Sequence, residues 1–393
     1  MDTNPELLHR GVANIIPNIK LLEQRLNSGN KLNIYMGIDP TATRIHLGHA
    51  VTLRKIQQFA EMGHNVTFLV GDFTALIGDT SDKTSERPVL TSSQIQENLT
   101  TYKEQAKKIL DFDKIAIKFN SQWLSKLTFE DILKLTMNFS VNDFISRELI
   151  KKRLTAGTSV GLAEVMYPLM QGYDSLHLNT DIQLGGTDQT FNMQAGRTLL
   201  KNLKNKESFI ITNVFLTGTD GRKMSKTWDN AIWLDDKAND MYRKVMSIKD
   251  ELIMEYFILA TDIPLDEIKK IGKSLDANNP MDTKKMLAHT ITKIYHGEQK
   301  AERAAKEFQN VVQDKKAPED IPTISIADSS VSLASIAIMH NLVDSNSEWK
   351  RYVSSNSVSY NDMKISNAFI NVSELREDGI LKIGKQKFAK IKL

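Results

Sequence analysis

The sequence predicts an α/β fold with a parallel sheet, followed by a helical region and a small carboxyl-terminal block. Over the first two-thirds of the 393 residues, short apolar segments alternate with helix-like segments. Val66–Val70 is almost continuously apolar and rich in β-branched residues, as expected of a strand covered on both faces. Strands that alternate with helices favour a parallel sheet, and such sheets bind ligands near the carboxyl ends of their strands.

The other elements of this region follow from apolar periodicity and from stop signals. Ala50–Met62 is predicted to be a helix, because its apolar residues recur on one stripe and Gly63 follows as a stop signal. Further short apolar segments predict strands at Leu32–Met36, Ile182–Leu184 and Phe209–Ile211.

The chain beyond Trp233 shows helical periodicity alone. One of these helices is expected to end at His296, because Gly297 is a suitable residue for a helix carboxyl terminus. Asp314–Pro322, which contains two prolines, is the predicted linker to the last block of the chain.

The composition limits the classes of function. A net charge of +3 at pH 7 means that any contact with nucleic acid must come from local basic patches. The absence of cysteine excludes a disulfide framework, a thiolate zinc site and a cysteine nucleophile. Met1–Arg10 lacks the apolar core of a signal peptide, and no uncharged apolar run approaches the ~18 residues of a membrane helix. We therefore expect a cytoplasmic protein without a membrane segment.

A string of two histidines around a glycine, His46-Leu47-Gly48-His49, lies at a predicted strand-to-helix junction. The amino terminus of a helix offers unpaired amides to a phosphate, and Gly48 permits a close approach. His46 and His49 can donate hydrogen bonds to oxygens that gain charge in a transition state, and the Thr41 hydroxyl can add another. The competing interpretation is an ordinary helix start whose two imidazoles are satisfied within the protein.

A second motif, Lys-Met-Ser-Lys-Thr at Lys223–Thr227, lies in a polar loop that follows Gly218 and Gly221. Its two lysines can neutralise the charge of a leaving pyrophosphate, and the loop can close over phosphates. No catalytic base is needed when the attacking group is a carboxylate, which is already an anion at neutral pH. Because lysine-rich loops are usually just solvated, this motif is informative mainly together with the first.

The two motifs together resemble the signatures of the class I aminoacyl-tRNA synthetases, in which an amino-acid carboxylate attacks the α-phosphate of ATP. The family's usual spellings are His-Ile-Gly-His and Lys-Met-Ser-Lys-Ser; Leu47 and Thr227 depart from them but keep the size and the hydroxyl. The resemblance implies a Rossmann-like catalytic domain. It implies catalytic roles for His46, His49, Thr41, Lys223 and Lys226. It also implies ATP contacts from Asp39, Gly48, Gly186, Asp188, Met224, Ser225 and Lys226.

Three further segments resemble those of the bacterial-type tyrosyl-tRNA synthetases: Ile77–Asp79, Tyr167–Asp174 and Gln183–Gln189. This more specific resemblance extends over essentially the whole chain. The spacing of Tyr167, Gln171 and Asp174 places these side chains on one face of a helix. A hydrogen-bonded packing network is the alternative explanation of such a polar face.

The resemblance also implies how tyrosine would be held. Tyr35 and Asp174 are expected to meet its phenolic hydroxyl. Its ammonium and carboxylate end is expected to be surrounded by Asp79, Tyr167, Gln171 and Gln189. No inserted segment is large enough for an editing domain.

One loop departs from the family pattern. Asp79–Lys83 reads Asp-Thr-Ser-Asp-Lys, where the family commonly has Asp-Pro-Ser-Gly-Lys or Asp-Pro-Ser-Gly-Arg. Thr80 replaces a rigid residue and Asp82 a flexible one, so the geometry of this loop is expected to differ. Lys83 and Arg87 would still be available to phosphates.

The last two regions resemble RNA-binding parts of the same enzymes. Residues 233–320 resemble the α-helical anticodon-binding domain, and residues 330–393 resemble a small α+β RNA-binding domain first described in a ribosomal small-subunit protein (S-four type). The catalytic domain is then expected at 1–232, with a dimer-interface insertion at about 125–165. The predicted tRNA contacts are Lys350, Arg351, Lys385 and Lys387. Lysines that protect the edge of a solvated strand are the alternative reading of the carboxyl-terminal charges.

The resemblance implies that L-tyrosine and ATP give tyrosyl-adenylate and pyrophosphate, after which the tyrosyl group passes to the 3′ end of tRNA(Tyr). Mg²⁺ is expected to accompany ATP without a metal site on the protein. A homodimer is also implied, with Phe129–Val165 near its interface.

Three alternatives remain from the sequence. A tryptophanyl-tRNA synthetase shares both signatures, although Tyr35 and Asp174 suit a hydroxyl better than an indole. Small-molecule nucleotidylyltransferases use the histidine motif but need no helical domain of the anticodon type. A catalytically silent RNA-binding relative would not need to keep both histidines and both lysines.

Overall fold

The computed structural model describes residues 6–40, 43–79, 91–277, 279–313, 321–326, 328–384 and 387–393. The chain forms two compact units, Met1–Glu298 and Gln299–Leu393. The helical segment after residue 232 therefore belongs to the same unit as the sheet, and the predicted limits of the three domains stay predictions.

The first unit is built on a six-stranded sheet, which confirms the predicted α/β class. Its strands are β1 (Val12–Ile16), β2 (Asn33–Ile38), β3 (Asn65–Val70), β4 (Ile115–Phe119), β5 (Ile182–Gly186) and β6 (Phe209–Asn213). They lie in the order β1-β6-β5-β2-β3-β4, and every neighbouring pair is parallel except β1 with β6. The four predicted strands correspond to β2, β3, β5 and β6.

The two edge strands, β1 and β4, have no counterpart in the sequence prediction. Each has only one fully buried residue, whereas β6 is buried throughout. An edge strand that keeps exposed positions lacks the continuous apolar run by which the central strands were recognised.

Thirteen helices accompany the sheet in the described part of the first unit. They are α1 (Ile19–Leu26), α2 (Leu47–Glu61), α3 (Ser92–Ala106), α4 (Ser121–Leu124), α5 (Phe129–Thr136), α6 (Val141–Ile145), α7 (Glu148–Thr155), α8 (Leu162–His177), α9 (Thr190–Lys204), α10 (Ala238–Met246), α11 (Ile253–Ala260), α12 (Leu265–Ala277) and α13 (Pro280–His296). Helix α2 begins at Leu47, three residues before the predicted start at Ala50. Its first turn follows directly on His46, whose backbone is extended. Helix α13 ends at His296 with Gly297 at φ +83°, as predicted.

Two arginines join the helical segment to the sheet domain. The Arg10 guanidinium donates to four backbone carbonyls around the end of α11: Phe257, Ile258, Thr261 and Ile263. Arg54, on α2, donates to the carbonyls of Leu259 and Ala260. These bonds satisfy carbonyls that have no partner within the helix, so the end of α11 is anchored on the sheet domain.

The second unit has its own sheet and core. Its elements are α14 (Glu298–Phe308, whose first residue is the last of the first unit), β7 (Thr323–Ser325), α15 (Leu333–Met339), α16 (Asn346–Ser354), β8 (Val358–Tyr360), β9 (Met363–Lys364), β10 (Gly379–Ile383) and β11 (Lys387–Lys392). The strand order is β7-β11-β10-β8-β9, and Trp349 of α16 lies fully buried in the core. Most of the predicted linker Asp314–Pro322 lies outside the described residues. Across the described ranges, no helix is both long enough and apolar enough to cross a membrane.

Candidate active site

The strand order locates the candidate site. In the sheet, β3 and β4 follow β2 on one side, whereas β5 and β6 lie on the other, so the winding reverses between β2 and β5. Sheets of this kind bind ligands at that point, beyond the carboxyl ends of the strands. Asp39 follows β2 there, and Gly186 ends β5.

Asp174 is the buried acceptor at one side of this crevice. It lies on α8, is 2% exposed, and accepts hydrogen bonds from the Trp123 indole (2.7 Å) and the Asn120 amide (3.2 Å). Burial raises the pKa of the Asp174 carboxyl to about 8, and the two donors oppose that shift.

Asp174 is linked through a chain of hydrogen bonds to Asp39. The Asn120 amide also donates to the Thr74 hydroxyl (3.0 Å), and that hydroxyl donates to Asp39 (2.7 Å). The Tyr167 hydroxyl donates to the other oxygen of Asp39 (2.8 Å), where burial and the carboxylate raise the pKa of Tyr167. A side chain at Gly71 would overlap Asp39, so only glycine permits this close approach. Asp39, predicted at ATP, is therefore already part of the polar network that holds Tyr167.

Tyr35 lies on β2 and is buried beside Leu69 and Trp123. Its hydroxyl is 3.0 Å from the Ser175 hydroxyl and 3.4 Å from the Gln183 amide oxygen, and burial raises its pKa. The predicted partner Asp174 is the neighbour of Ser175 on α8, and its charge also raises the pKa of Tyr35.

A second acidic group, Asp79, lies close enough to Tyr167 for its charge to raise the pKa of the Tyr167 hydroxyl. The amides of Gln189 (2.5 Å) and Asn192 (3.4 Å) donate to its carboxylate. Gln171 is half-buried on α8, one turn from Tyr167. The predicted residues for the ammonium and carboxylate end of tyrosine thus come from α8 and from the segments that follow residue 76 and strand β5.

His46 and His49 stack on each other at the start of α2, with ring centroids 3.8 Å apart. His49 Nδ1 accepts from the His46 backbone N–H (3.3 Å), which leaves the proton of a neutral ring on Nε2. Burial and the charge of Lys223 lower the pKa of His49 to about 4, and burial lowers that of His46. Both rings are therefore neutral at pH 7, and His46 Nδ1 is buried with no partner among the described residues.

The two motifs are in direct contact. The segment after the lysine motif pairs with the segment before α2, through Leu47 N–H to Ile232 O and Leu234 N–H to Ile45 O, both 2.9 Å. A Cβ at Gly48 would stand 3.0 Å from the His46 ring and 3.8 Å from Met224.

Lys223 extends from this contact toward the end of β5. Its ammonium is 3.3 Å from the Asp188 carboxylate and 3.6 Å from the centre of the Phe215 ring. Lys226 lies exposed in a short 3₁₀ turn, Lys226–Trp228, which begins where the Ser225 hydroxyl accepts from the Thr227 N–H. The structure thus brings both histidines, Lys223 and the predicted ATP-binding residues Gly186 and Asp188 into one region.

Several predicted residues lie outside the described part of the chain: Thr41, the departing loop from Thr80 to Lys83, Arg87 and Lys385. The remaining predicted tRNA contacts lie in the second unit. Lys350 and Arg351 are on α16, and Lys387 on β11 is 3.6 Å from Glu348. The Lys350 ammonium lies 4.9 Å from the centre of the Phe369 ring.

Sequence reasoning missed the residues that hold the predicted ones in place. Asn120, Trp123 and Thr74 orient Asp174 and Asp39, and Phe215 contacts Lys223. Asn120 directly follows β4 at the carboxyl edge of the sheet, where ligand-binding side chains are expected. Because the sequence does not predict β4, this position does not single out Asn120 beforehand.

No group of three or more His, Cys, Asp or Glu side chains suited to a metal ion occurs in the portion of the chain that the structure describes.

Comparison with known proteins gives a consistent result. Residues 27–313 match the family described as tRNA synthetases class I (W and Y). A tyrosine–tRNA ligase of Carboxydothermus hydrogenoformans is 40% identical over 98% of this chain and 97% of its own length. A tyrosine–tRNA ligase of Thermotoga maritima is 38% identical over 98% of this chain and 96% of its own. The fold is shared with a C-terminally truncated mitochondrial tyrosyl-tRNA synthetase of Aspergillus nidulans (TM-score 0.64, 23% identity, 77% of this chain and 92% of that one).

Proposed function

Because the chain belongs to the class I tRNA synthetases of the tryptophan and tyrosine family, we propose that the pocket around Asp174 holds tyrosine and that the paired motifs hold ATP. The chain is a ligase that joins tyrosine to tRNA, as its near full-length relatives are. ATP and L-tyrosine form tyrosyl-adenylate and pyrophosphate, and the tyrosyl group then passes to tRNA with release of AMP.

The buried, doubly hydrogen-bonded carboxyl of Asp174 is the observation that carries the substrate assignment. Trp123 and Asn120 fix its two oxygens as acceptors, and a phenolic hydroxyl can donate to it. Phenylalanine would leave the carboxyl without this donor, and a site built for a hydroxyl rejects the analogue that lacks it. An indole presents its N–H at a different place on a larger ring system. Tyrosine is therefore favoured over tryptophan.

The chemical step needs little from the protein beyond position and charge. The tyrosine carboxylate oxygen forms a bond to the α-phosphorus, and the bond from that phosphorus to the bridging oxygen of pyrophosphate breaks. The neutral rings of His46 and His49 donate to phosphate oxygens as charge moves onto them. Ribose hydroxyls at Asp188 would compete with Lys223 for that carboxylate, which would release the Lys223 ammonium to the phosphates.

Magnesium enters this proposal with ATP. Mg²⁺ is usually held by substrate phosphates with one or two carboxylates and several waters. No carboxylate of the described residues is assigned to the ion, because Asp188 already pairs with Lys223 and is proposed for the ribose. Held by the phosphates of ATP, the ion would neutralise part of the triphosphate charge.

Isotope exchange between pyrophosphate and ATP, measured with each amino acid in turn, tests the assignment. We expect exchange with tyrosine and none above background with phenylalanine or tryptophan. Exchange with tryptophan, or with no amino acid, would contradict the proposal.

We also propose a homodimer, supported by an exposed apolar face on the inserted helices. Phe129, Leu133 and Met137 recur every four residues along α5 and its end, and Phe129 and Met137 are 76% and 85% exposed. Val141 and Leu162 add to the exposed apolar residues of this region. A patch of this kind on a monomer marks an interaction site.

We also propose that the dimer works in the cytoplasm, because it acts on tRNA and ATP.

Met137→Glu should convert the dimer to a monomer, because it places a charge on the most exposed residue of the apolar face. We expect the dimer dissociation constant to rise by about 100-fold or more, measured by sedimentation at several protein concentrations. Met281→Glu is the matched control, since Met281 is another exposed methionine, on α13. A Met137→Glu protein that stays dimeric would place the interface elsewhere.

The second unit is proposed to bind tRNA through Lys350, Arg351, Lys385 and Lys387. Support comes from the position of Lys350 over the exposed Phe369 ring, because an aromatic ring beside a cation suits an unstacked base.

A further inference from the structure

Asn230, three residues after the lysine motif, has no role in the chemistry described above, yet its side chain lies at the centre of the loop. It is 2% exposed and follows Asp229, whose φ of +50° turns the chain back on itself. The loop that it closes begins at Gly218 and carries both motif lysines.

The Asn230 carboxamide bonds to both arms of this loop. Its oxygen accepts from the Ser225 N–H (2.9 Å). Its nitrogen donates to the Lys223 carbonyl (3.1 Å) and to the Asp220 carboxylate (2.7 Å). The backbone oxygen of Asn230 accepts from the Thr219 N–H (3.1 Å).

The residues around Asn230 leave space for its side chain and hold it by hydrogen bonds. A side chain at Gly218 would overlap the Asn230 amide, so this position accepts only glycine. Asp220, the partner of the Asn230 amide, also accepts from the side chain of Arg222, and the Arg222 guanidinium lies 3.9 Å above the Trp228 ring. Hydrogen bonds, led by that from Asn230, lower the pKa of Asp220 to about 2. The carboxylate is therefore a permanent acceptor at neutral pH.

We propose that Asn230 is a positioning residue for adenylate formation, whose carboxamide holds the backbone of Lys223 and Ser225 so that the motif lysines start from defined places. The inference rests on the proposed role of these lysines at the phosphates. Because Asn230 already orders the loop, the binding of ATP costs less conformational entropy than it would with an unordered loop. Without the carboxamide, the same lysines are present but their backbone is unrestrained.

Asn230→Asp is the informative variant, because it keeps the size and the oxygen that accepts from Ser225. It loses the N–H groups that reach Lys223 and Asp220, and it sets a second carboxylate against Asp220. We expect kcat for tyrosine-dependent ATP–pyrophosphate exchange to fall by about 100-fold and the KM for ATP to rise. The dissociation constant of tyrosine should stay within about twofold, since its pocket lies on other elements.

Two further measurements separate positioning from general stability. The swap Asp220→Asn with Asn230→Asp restores one donor–acceptor pair in the reverse sense and should recover exchange at least about fivefold over Asn230→Asp alone. Trypsin should cut at Arg222 and Lys223 faster in Asn230→Asp than in the wild type at a temperature where both proteins are folded. Asn205→Asp, at the asparagine that ends α9, is the control and should leave exchange unchanged.

Exchange kinetics within twofold of the wild type in both Asn230→Asp and Asn230→Ala would overturn the proposal. A parallel loss of tyrosine binding and melting temperature would overturn it too, because it would reveal a purely structural residue. If Asn230→Asp does not fold, the exchange kinetics of Asp220→Asn test the proposal instead. This variant leaves Asn230 intact and should still lower kcat by about threefold or more. Failure of the proposed function itself would be visible separately, as absent tyrosine-dependent exchange in the wild type.

Discussion

Asp174→Ala should abolish tyrosine-dependent exchange of pyrophosphate into ATP, with a loss of about 1,000-fold or more in kcat/KM. The substitution removes the buried acceptor that we propose for the phenolic hydroxyl and takes away the partner to which Trp123 and Asn120 donate. Tyrosine would then bury its hydroxyl in a pocket that no longer offers this acceptor, which costs far more than the loss of an exposed contact.

The phenylalanine reaction is the internal control for this variant. Tyrosyl-tRNA synthetases are themselves the reference case for such discrimination, about 10⁵-fold without editing, a figure that we adopt and do not derive. In Asp174→Ala the rate with tyrosine should fall toward the rate with phenylalanine, and the latter should change little. Retention of tyrosine exchange within about tenfold of the wild type would remove Asp174 from the pocket.

The same carboxyl gives tyrosine binding a pH dependence. Burial raises the pKa of Asp174 to about 8, and the ionised form is the better acceptor for a phenol. The KM for tyrosine should therefore fall several-fold from about pH 7 to about pH 9 in the wild type and not in Asp174→Asn. The free energy of unfolding changes in the unfavourable direction over the same rise in pH, because the pKa of Asp174 in the folded protein lies above the ordinary 3.8. The stability that the neutral carboxyl contributes is complete below about pH 4 and is lost as pH rises through about 8.

His49→Ala should lower the rate of adenylate formation by about 100- to 1,000-fold, the usual cost of one donor to a developing charge. The ring accepts at Nδ1 from the His46 backbone, so its Nε2–H is the ring donor that remains for a ligand. Because the pKa of His49 is lowered to about 4, the ring donates as a neutral imidazole, and the rate should show no His49 titration between about pH 6 and 8.

Single-turnover measurement with saturating tyrosine and ATP separates this effect from substrate binding. His49→Asn retains a side-chain N–H and should recover part of the rate, whereas exposed His340→Ala should match the wild type. A pH profile with an inflection near 6.5 that disappears in His49→Ala would instead show that the ring acts as a cation.

Much of the fold was accessible from the sequence because its signals are local. Apolar runs marked the four central strands, and glycine after a periodic segment marked the ends of α2 and α13. The edge strands β1 and β4 were not accessible, since half-exposed strands carry no continuous apolar run. Because β4 is not predicted, the sequence also does not single out Asn120 and Trp123, which follow this strand and orient Asp174.

The sequence by itself determined the class of chemistry, because His46–His49 and Lys223–Thr227 each place the groups that we expect at the phosphates within a few consecutive residues. Only the tertiary structure decided the states of those groups. Neutral histidines, a raised pKa at Asp174 and Lys223 drawn to Asp188 all depend on burial and on charges supplied by distant segments. The same holds for Asn230, whose bonds to Asp220 and Lys223 exist only because the loop is folded. Hydrogen bonds and desolvation act through space, so a linear pattern of residues does not contain them.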